Sequence, residues 1–81
     1  MYLEIVTPDK NIFKGEVSEA SFPGADGSFQ VLNNHAPLIS ALAKGVVSFT
    51  TEEKRTSITV DGGVVEVKDN RIIVLAEKVV S

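Results

Sequence analysis

The sequence predicts an all-β fold, a two-sheet antiparallel β-sandwich of about ten short strands. Three observations carry that reading. Apolar runs are short and are cut by turn residues roughly every 8–12 positions, the spacing of sandwiches and barrels. Within the runs, apolar and polar residues alternate with a period of two, as in half-buried strands. The apolar residues are mainly Val, Ile, Leu and Phe, which suit a pleated surface. At 81 residues the chain is read as one domain over 1–81, near the lower size limit for folding without staples. It has no cysteine, so a disulfide framework and a thiolate zinc site are both excluded. A hydrophobic content of 43% is enough for one apolar core to supply the stability instead.

The elements follow in order. Leu3 and Ile5 alternate with Glu4, and Pro8-Asp9-Lys10-Asn11 ends that strand because Pro8 lacks a ladder donor and pre-sets a turn. The run from Ile12 to Phe22 is out of phase: Val17 falls on one face, Ala20 and Phe22 on the other. A bulge between Glu16 and Glu19 would reconcile them. Pro23-Gly24-Ala25-Asp26-Gly27 is the strongest loop signal. Phe29 and Val31 then alternate with Ser28 and Gln30, and Asn33-Asn34 turns the chain. Pro37 restricts Ala36 to extended geometry, so 36–43 is read as extended rather than helical. Val47 and Phe49 alternate with Ser48 and Thr50 after Gly45. Glu52-Glu53-Lys54 forms a polar hairpin tip, followed by Ile58 and Val60 alternating with Ser57 and Thr59. Asp61-Gly62-Gly63 reads as a further turn, and Asp69-Asn70 as a two-residue hairpin between Val67 and Arg71. The last run, Arg71 to Ala76, is apolar on both faces, which predicts a strand covered by the core on one side and by a partner or another segment on the other.

A net charge of −3 argues against nucleic acid, which demands clustered Lys and Arg. The N-terminal residues have no basic segment followed by an apolar run, and no stretch approaches the roughly 20 apolar residues of a membrane span. A soluble, cytoplasmic protein without direct membrane insertion is the expectation. His35 is the one histidine and the obvious candidate base, with Asp26 or Ser28 as conceivable partners. No third orienting group is signalled, however, and packing at a loop corner or against another subunit explains it as well. One His and no Cys leave only scattered carboxylates for a metal. The Gly-rich segments are not phosphate loops, since neither is followed by Lys-Ser/Thr or by a helix. No catalytic residue, cofactor or metal is therefore expected.

Gly27-Ser28-Phe29-Gln30-Val31-Leu32, the corner His35-Ala36-Pro37-Leu38 and the run Gly62-Gly63-Val64-Val65-Glu66-Val67 occur in order with Phe13-Lys14-Gly15 and Pro23-Gly24. Leu42, Gly45, Asn70 and Val74-Leu75-Ala76 follow at matching positions. Over essentially its whole length the chain resembles the N-terminal β-sandwich domain of the epsilon subunits of F-type ATP synthases. Asn33 stands where many relatives have Pro, and both residues suit a turn. The resemblance implies a non-catalytic rotor subunit at the foot of the central stalk. Such a subunit grips the gamma subunit, rests on the ring of c subunits and couples proton flow to ATP synthesis mechanically. It also implies a peripheral position on the cytoplasmic face of the bacterial inner membrane. Carried onto this sequence, gamma contacts would include Thr7 and His35, and the contact with the c-ring would fall on Asp26, Gly27 and Ser28. Ser28 is a small hydroxyl where some relatives place an acidic residue.

Longer relatives continue into a C-terminal helical hairpin that can extend and inhibit hydrolysis. This sequence stops at Lys78-Val79-Val80-Ser81, so a short form without the hairpin, and without inhibition by helix extension, is the expectation. Two other readings remain open: a free-standing β-sandwich adaptor that binds a protein along a strand edge, and a small hydrolase or sugar-binding enzyme centred on His35. The rotor reading predicts that the isolated chain is monomeric and hydrolyses no ATP. ATPase activity that follows the protein peak through gel filtration would contradict it.

Overall fold

The computed structural model describes residues 1–52 and 54–80, and every regular element among them is a β-strand. The strands are β1 (Tyr2–Val6), β2 (Asn11–Glu16), β3 (Glu19–Phe22), β4 (Phe29–Leu32), β5 (Leu38–Thr51), β6 (Lys54–Lys68) and β7 (Arg71–Ala76). They form one hydrogen-bonded sheet of seven strands in the order β2-β1-β7-β6-β5-β3-β4. All neighbours are antiparallel except β1 and β7, which run parallel.

The sheet folds over on itself to make the sandwich, and β5 and β6 make the fold. In β5, Leu38, Ser40 and Leu42 turn inward, then Ala43 and Lys44 are both exposed, and Gly45, Val47 and Phe49 turn inward. In β6 the inward set changes from Thr56, Ile58 and Val60 to Val65 and Val67. Both strands change phase at the same level, because Leu42 is paired with Gly63 and Lys44 with Asp61. Strands that pass from one layer to the other do so through such bends. Asp61-Gly62-Gly63 is therefore a bend inside a 15-residue strand rather than a turn between two strands. Its chemistry still demands glycine. Gly63 has φ +139°, and a Cβ there would collide with the carbonyl oxygen of Leu75 and lie 2.9 Å from the Cα of Ala76.

This continuity also explains the strand count. β5 and β6 each serve both layers, so seven strands do the work of the ten short ones expected. Isolated bridges at Gly24–Leu42 and Val60–Val79 extend the pairing further. The all-β sandwich class holds, with a mixed sheet in place of two separate antiparallel ones. The phase change in the second run arises from a strand break and not from a bulge. β2 ends at Glu16, and the chain crosses at Val17-Ser18 to start β3 on the other layer. There Val17 donates its N–H to Met1 and Ser18 donates to Thr50.

The extended reading of 36–43 is met by β5, which starts at Leu38. Asp69 and Asn70 form the two-residue turn between β6 and β7, with φ 52° and 60°, the positive values of a type I′ hairpin. Of the polar tip, Glu52 has φ 42° while Glu53 lies outside the described residues, as does Ser81.

The core is a single cluster drawn from both layers, including Leu3, Ile5, Phe22, Val31, Val47, Val60, Val65, Ile72 and Val74. Each such side chain contributes roughly 1.5–3 kcal/mol on burial. Phe13 of β2 lies 4.5 Å from Phe49 of β5, centroid to centroid, although four places separate these strands in the sheet order. Only the fold-over brings them together. Phe22 and Phe29 pack at 5.6 Å under the β3–β4 end.

Two glycine substitutions separate strain from crowding. Gly63→Ala is expected to cost at least about 3 kcal/mol, since an unfavourable φ is compounded by a backbone clash. Gly27→Ala, with φ +131° but open space around the new methyl group, should cost about 1 kcal/mol. Urea unfolding of both variants measures the difference.

Candidate functional site

Strand pairing places one residue of each neighbouring strand side by side on the same face. On the outer face of the β1–β7–β6–β5 layer this gives Val6 beside Leu75, Leu75 beside Val64, and Val64 beside Ala41. Leu75 is 54% exposed and Val64 41%, Ala41 is exposed and Val6 is half-buried. The next row is Glu4, Ile73, Glu66 and Ile39, with Ile39 73% exposed. The third is Tyr2, Arg71 and Lys68, where the Arg71 guanidinium lies 4.9 Å from the centre of the Tyr2 ring. The face thus grades from apolar to charged. At its apolar end, Val6, Thr7, Pro8, Leu75, Ala76 and Glu77 line a shallow groove.

The outer face of the other layer has a different chemistry. Gln30, Ser21, Ser48 and Ser57 lie side by side across β4, β3, β5 and β6. Ser48 and Ser57 share a hydrogen bond of 3.1 Å, and Glu19 accepts from both Gln30 and Arg55 at 3.0 Å. Leu32 and Val46, each 52% exposed, sit singly on this face beside Glu19 and Thr59, whereas the apolar row sets its side chains next to one another, where they gain from being covered together. Covering on both sides, expected for the last strand, is found only in part within the chain: Ile72, Val74 and Ala76 are in the core, and Leu75 is open.

Asp26, Gly27 and Ser28 are all exposed in one turn, which Gly27 closes by donating to the Gly24 carbonyl at 3.0 Å. Thr7 is half-buried, and both its N–H and its hydroxyl donate to the Lys10 carbonyl, at 2.9 and 3.3 Å. It therefore closes the β1–β2 turn at the rim of the apolar groove. His35 is half-buried at the opposite end of the layer, where Asn34 accepts the chain's closure by donating to the Asn70 side chain at 2.8 Å. Its Nδ1 lies 2.6 Å from the Ala36 carbonyl. A carbonyl only accepts, so this nitrogen carries the proton in that contact. Thr7 and His35 are thus separated by the length of β1, with the exposed apolar side chains lying between their two ends of the layer.

The catalytic partners conceived for His35 do not reach it. Ser28 precedes β4 and His35 follows it, and a four-residue strand is about 13 Å long. Among the described residues, no group of three His, Cys, Asp or Glu side chains could hold a metal ion. Ile39, Val64 and Leu75 were not singled out as site residues by sequence reasoning. The adjacent pairs Val64-Val65 and Val74-Leu75 carried the available signal, since in a strand one of two neighbours must point outward.

The chain matches, over residues 1–81, the family described as the ATP synthase delta/epsilon chain β-sandwich domain. It is 41% identical over 75 residues to an ATP synthase epsilon chain of Leptospira borgpetersenii, covering 93% of this chain and 59% of that one. It is 45% identical over 78 residues to an ATP synthase epsilon chain of Chlorobium limicola, covering 95% and 89% of the two chains. With the Leptospira relatives it therefore shares under two thirds of their length. Among solved structures, a chain of the Euglena gracilis mitochondrial ATP synthase (OSCP/F1/c-ring) superposes with a TM-score of 0.89 at 25% identity, covering 96% of this chain and 51% of that one. A chain of the Tetrahymena thermophila mitochondrial ATP synthase central stalk and c-ring superposes with a TM-score of 0.84 over 99% of this chain and 65% of that one. Its 16% identity speaks for the fold alone.

Exposure gives the apolar row a clear signature in stability. Leu75→Glu and Ile39→Lys should each change the unfolding free energy by no more than about 0.5 kcal/mol. Val74→Glu, one residue away but fully buried, should prevent folding. Circular dichroism and thermal melting of the three variants test this.

Proposed function

The chain belongs to the β-sandwich domain family of the ATP synthase delta and epsilon chains, and we propose that it acts as a non-catalytic rotor element of a proton-translocating F-type ATP synthase. In this reading residues 1–81 work as a single unit that binds the gamma subunit and rests on the c-ring. The observation that carries it is the contiguous apolar row on one outer face. Leu75, Val64 and Ile39 are exposed on the outside of one layer beside half-buried Val6, while the other layer presents hydroxyls and an ion pair with Leu32 and Val46 set singly among them. A gamma subunit covering that face would remove the apolar row from water, and Thr7 and His35 would meet it at the two ends. The exposed turn of Asp26, Gly27 and Ser28 would meet the ring.

Mechanical coupling asks a particular property of such a body: it must not yield between its two contacts. One continuous sheet wrapped round one core supports that demand, because the load path runs through hydrogen-bonded strands. No helix among the described residues is long and apolar enough to cross a membrane. In the rotor reading the chain would sit peripherally, held at the cytoplasmic face of the bacterial inner membrane by its partners, and be monomeric when isolated. In the same reading the chain would not inhibit hydrolysis by helix extension. A free-standing adaptor could use the same apolar face, and the family membership favours the rotor.

Calorimetry or co-elution with the gamma subunit of the same organism tests the proposal. The double variant Val64→Glu/Leu75→Glu should weaken binding about 10- to 100-fold with little change in melting temperature, as for residues at the centre of an interface. Thr7→Arg and His35→Glu should weaken it less, from the rim. A folded wild-type chain that binds neither gamma nor the c-ring would move the assignment to the adaptor.

A further inference from the structure

Between β3 and β4 the chain does not leave the sheet at once. Pro23 accepts a hydrogen bond from Ala43 at 2.8 Å, Gly24 pairs with Leu42, and Ala25 donates to Ala41 at 2.9 Å. Residues 23–25 therefore run as a short antiparallel strap along β5, continuing β3 towards the level of the β5–β6 bend. The pairing Ser21–Ser48 and the bridge Gly24–Leu42 enclose three steps on the strap side against six on β5. The extra β5 residues arch there, and Pro23 sits over Gly45.

The seat is close. A Cβ on Gly45 would come 2.7 Å from the Cβ of Pro23, and a Cβ on Gly24 would come 2.5 Å from the Gly27 carbonyl and 2.9 Å from the Phe29 ring. The Gly24–Gly27 turn is thus tied down at its start by backbone hydrogen bonds to β5 and packed from beneath by Phe29. Asp26, Gly27 and Ser28 face outward, next to exposed Ala25. Ala41, which accepts from the strap, also belongs to the exposed row with Val64 and Leu75.

We propose that residues 23–25 are a rigid strap that sets the position of the Asp26–Ser28 turn relative to the apolar face, with Gly24 and Gly45 as positioning residues for the contact with the ring. The inference rests on the reading that this turn meets the c-ring. A turn already held in its bound shape loses little conformational freedom on docking. It also shares one strand segment with the gamma-facing row, so displacement passes between the two contacts through peptide hydrogen bonds and not through a slack loop.

The test compares wild type, Gly45→Ala, Ala25→Pro and the core variant Val74→Ala for binding to detergent-solubilised c-ring and, separately, to gamma. Gly45→Ala lifts Pro23 from its seat. Ala25→Pro removes one strap donor at the second position of a turn, where proline is well accommodated, and serves if Gly45→Ala does not fold. Hydrogen exchange at the Ala43 amide reports whether the strap has loosened. Both strap variants should bind the ring about tenfold more weakly, keep wild-type affinity for gamma, and exchange the Ala43 amide faster. Unchanged ring affinity alongside faster Ala43 exchange would overturn the strap's role. Parallel losses for both partners, matching Val74→Ala, would overturn it too, by reducing the effect to general destabilisation. Wild-type chain that binds gamma but not the ring would remove the ring contact itself, and this inference with it.

Discussion

The close passage of Gly63 beneath the β7 backbone is the constraint on which the rest of the molecule depends. β6 can change layer only if it turns its inward face over within a few residues, and it does so where Leu75 and Ala76 lie against it. A side chain at this point would push β7 away from β6. Leu42 pairs with Gly63 across the ladder, so β5 must bend at the same level. The two longest strands are thereby locked into one fold-over, and the sheet edges are brought across the core from one another. The Phe13–Phe49 contact and the Ser18–Thr50 hydrogen bond follow from that closure.

The same bend creates the difference between the two outer faces. Above it, Ile39, Ala41, Val64 and Leu75 point outward from β5, β6 and β7; below it, Ser21, Ser48 and Ser57 point outward from β3, β5 and β6, with Val46 set among them. A strand that stayed in one layer would present one kind of face along its length. Because β5 and β6 exchange faces midway, a single ribbon supplies an apolar exterior to one layer and a hydroxyl-rich exterior to the other. Only the first sets its apolar side chains in a contiguous row that a partner could cover as a unit. The strap of residues 23–25 joins β5 close to the bend, so the exposed turn is tied to the level at which β5 and β6 change layer.

Sequence reasoning reached the class of fold, the hairpin at Asp69-Asn70 and the extended course of β5 through local signals. Alternation and the turn chemistry of Asn, Asp and Gly are properties of neighbouring residues and survive without a tertiary context. It misjudged Asp61-Gly62-Gly63 because the same residues that permit a turn also permit a bend within a strand, and the choice lies with partners far along the chain. The break at Val17-Ser18 was visible as a phase error, but a bulge and a strand switch look alike until Ser18 is seen to bond to Thr50. As for the candidate site, the exposed turn at Asp26–Ser28 was marked by its glycines. Ile39, Val64 and Leu75 are individually ordinary residues for a core, and only the register assembles them on one exterior face.

The sequence by itself determined that this is a cysteine-free, helix-poor chain whose strands alternate, whose turns fall at Gly, Pro, Asn and Asp, and whose motifs in order resemble one family. Those properties are written in composition and short-range spacing. Tertiary structure alone decided that seven strands form a single folded-over sheet, that β1 and β7 run parallel, and that one exterior carries a contiguous apolar row and the other a row of hydroxyls. The reason is physical. Alternation tells that successive side chains point opposite ways, but which way is inward is set by the neighbour each strand finds, and that neighbour is chosen by the closure of the whole sheet.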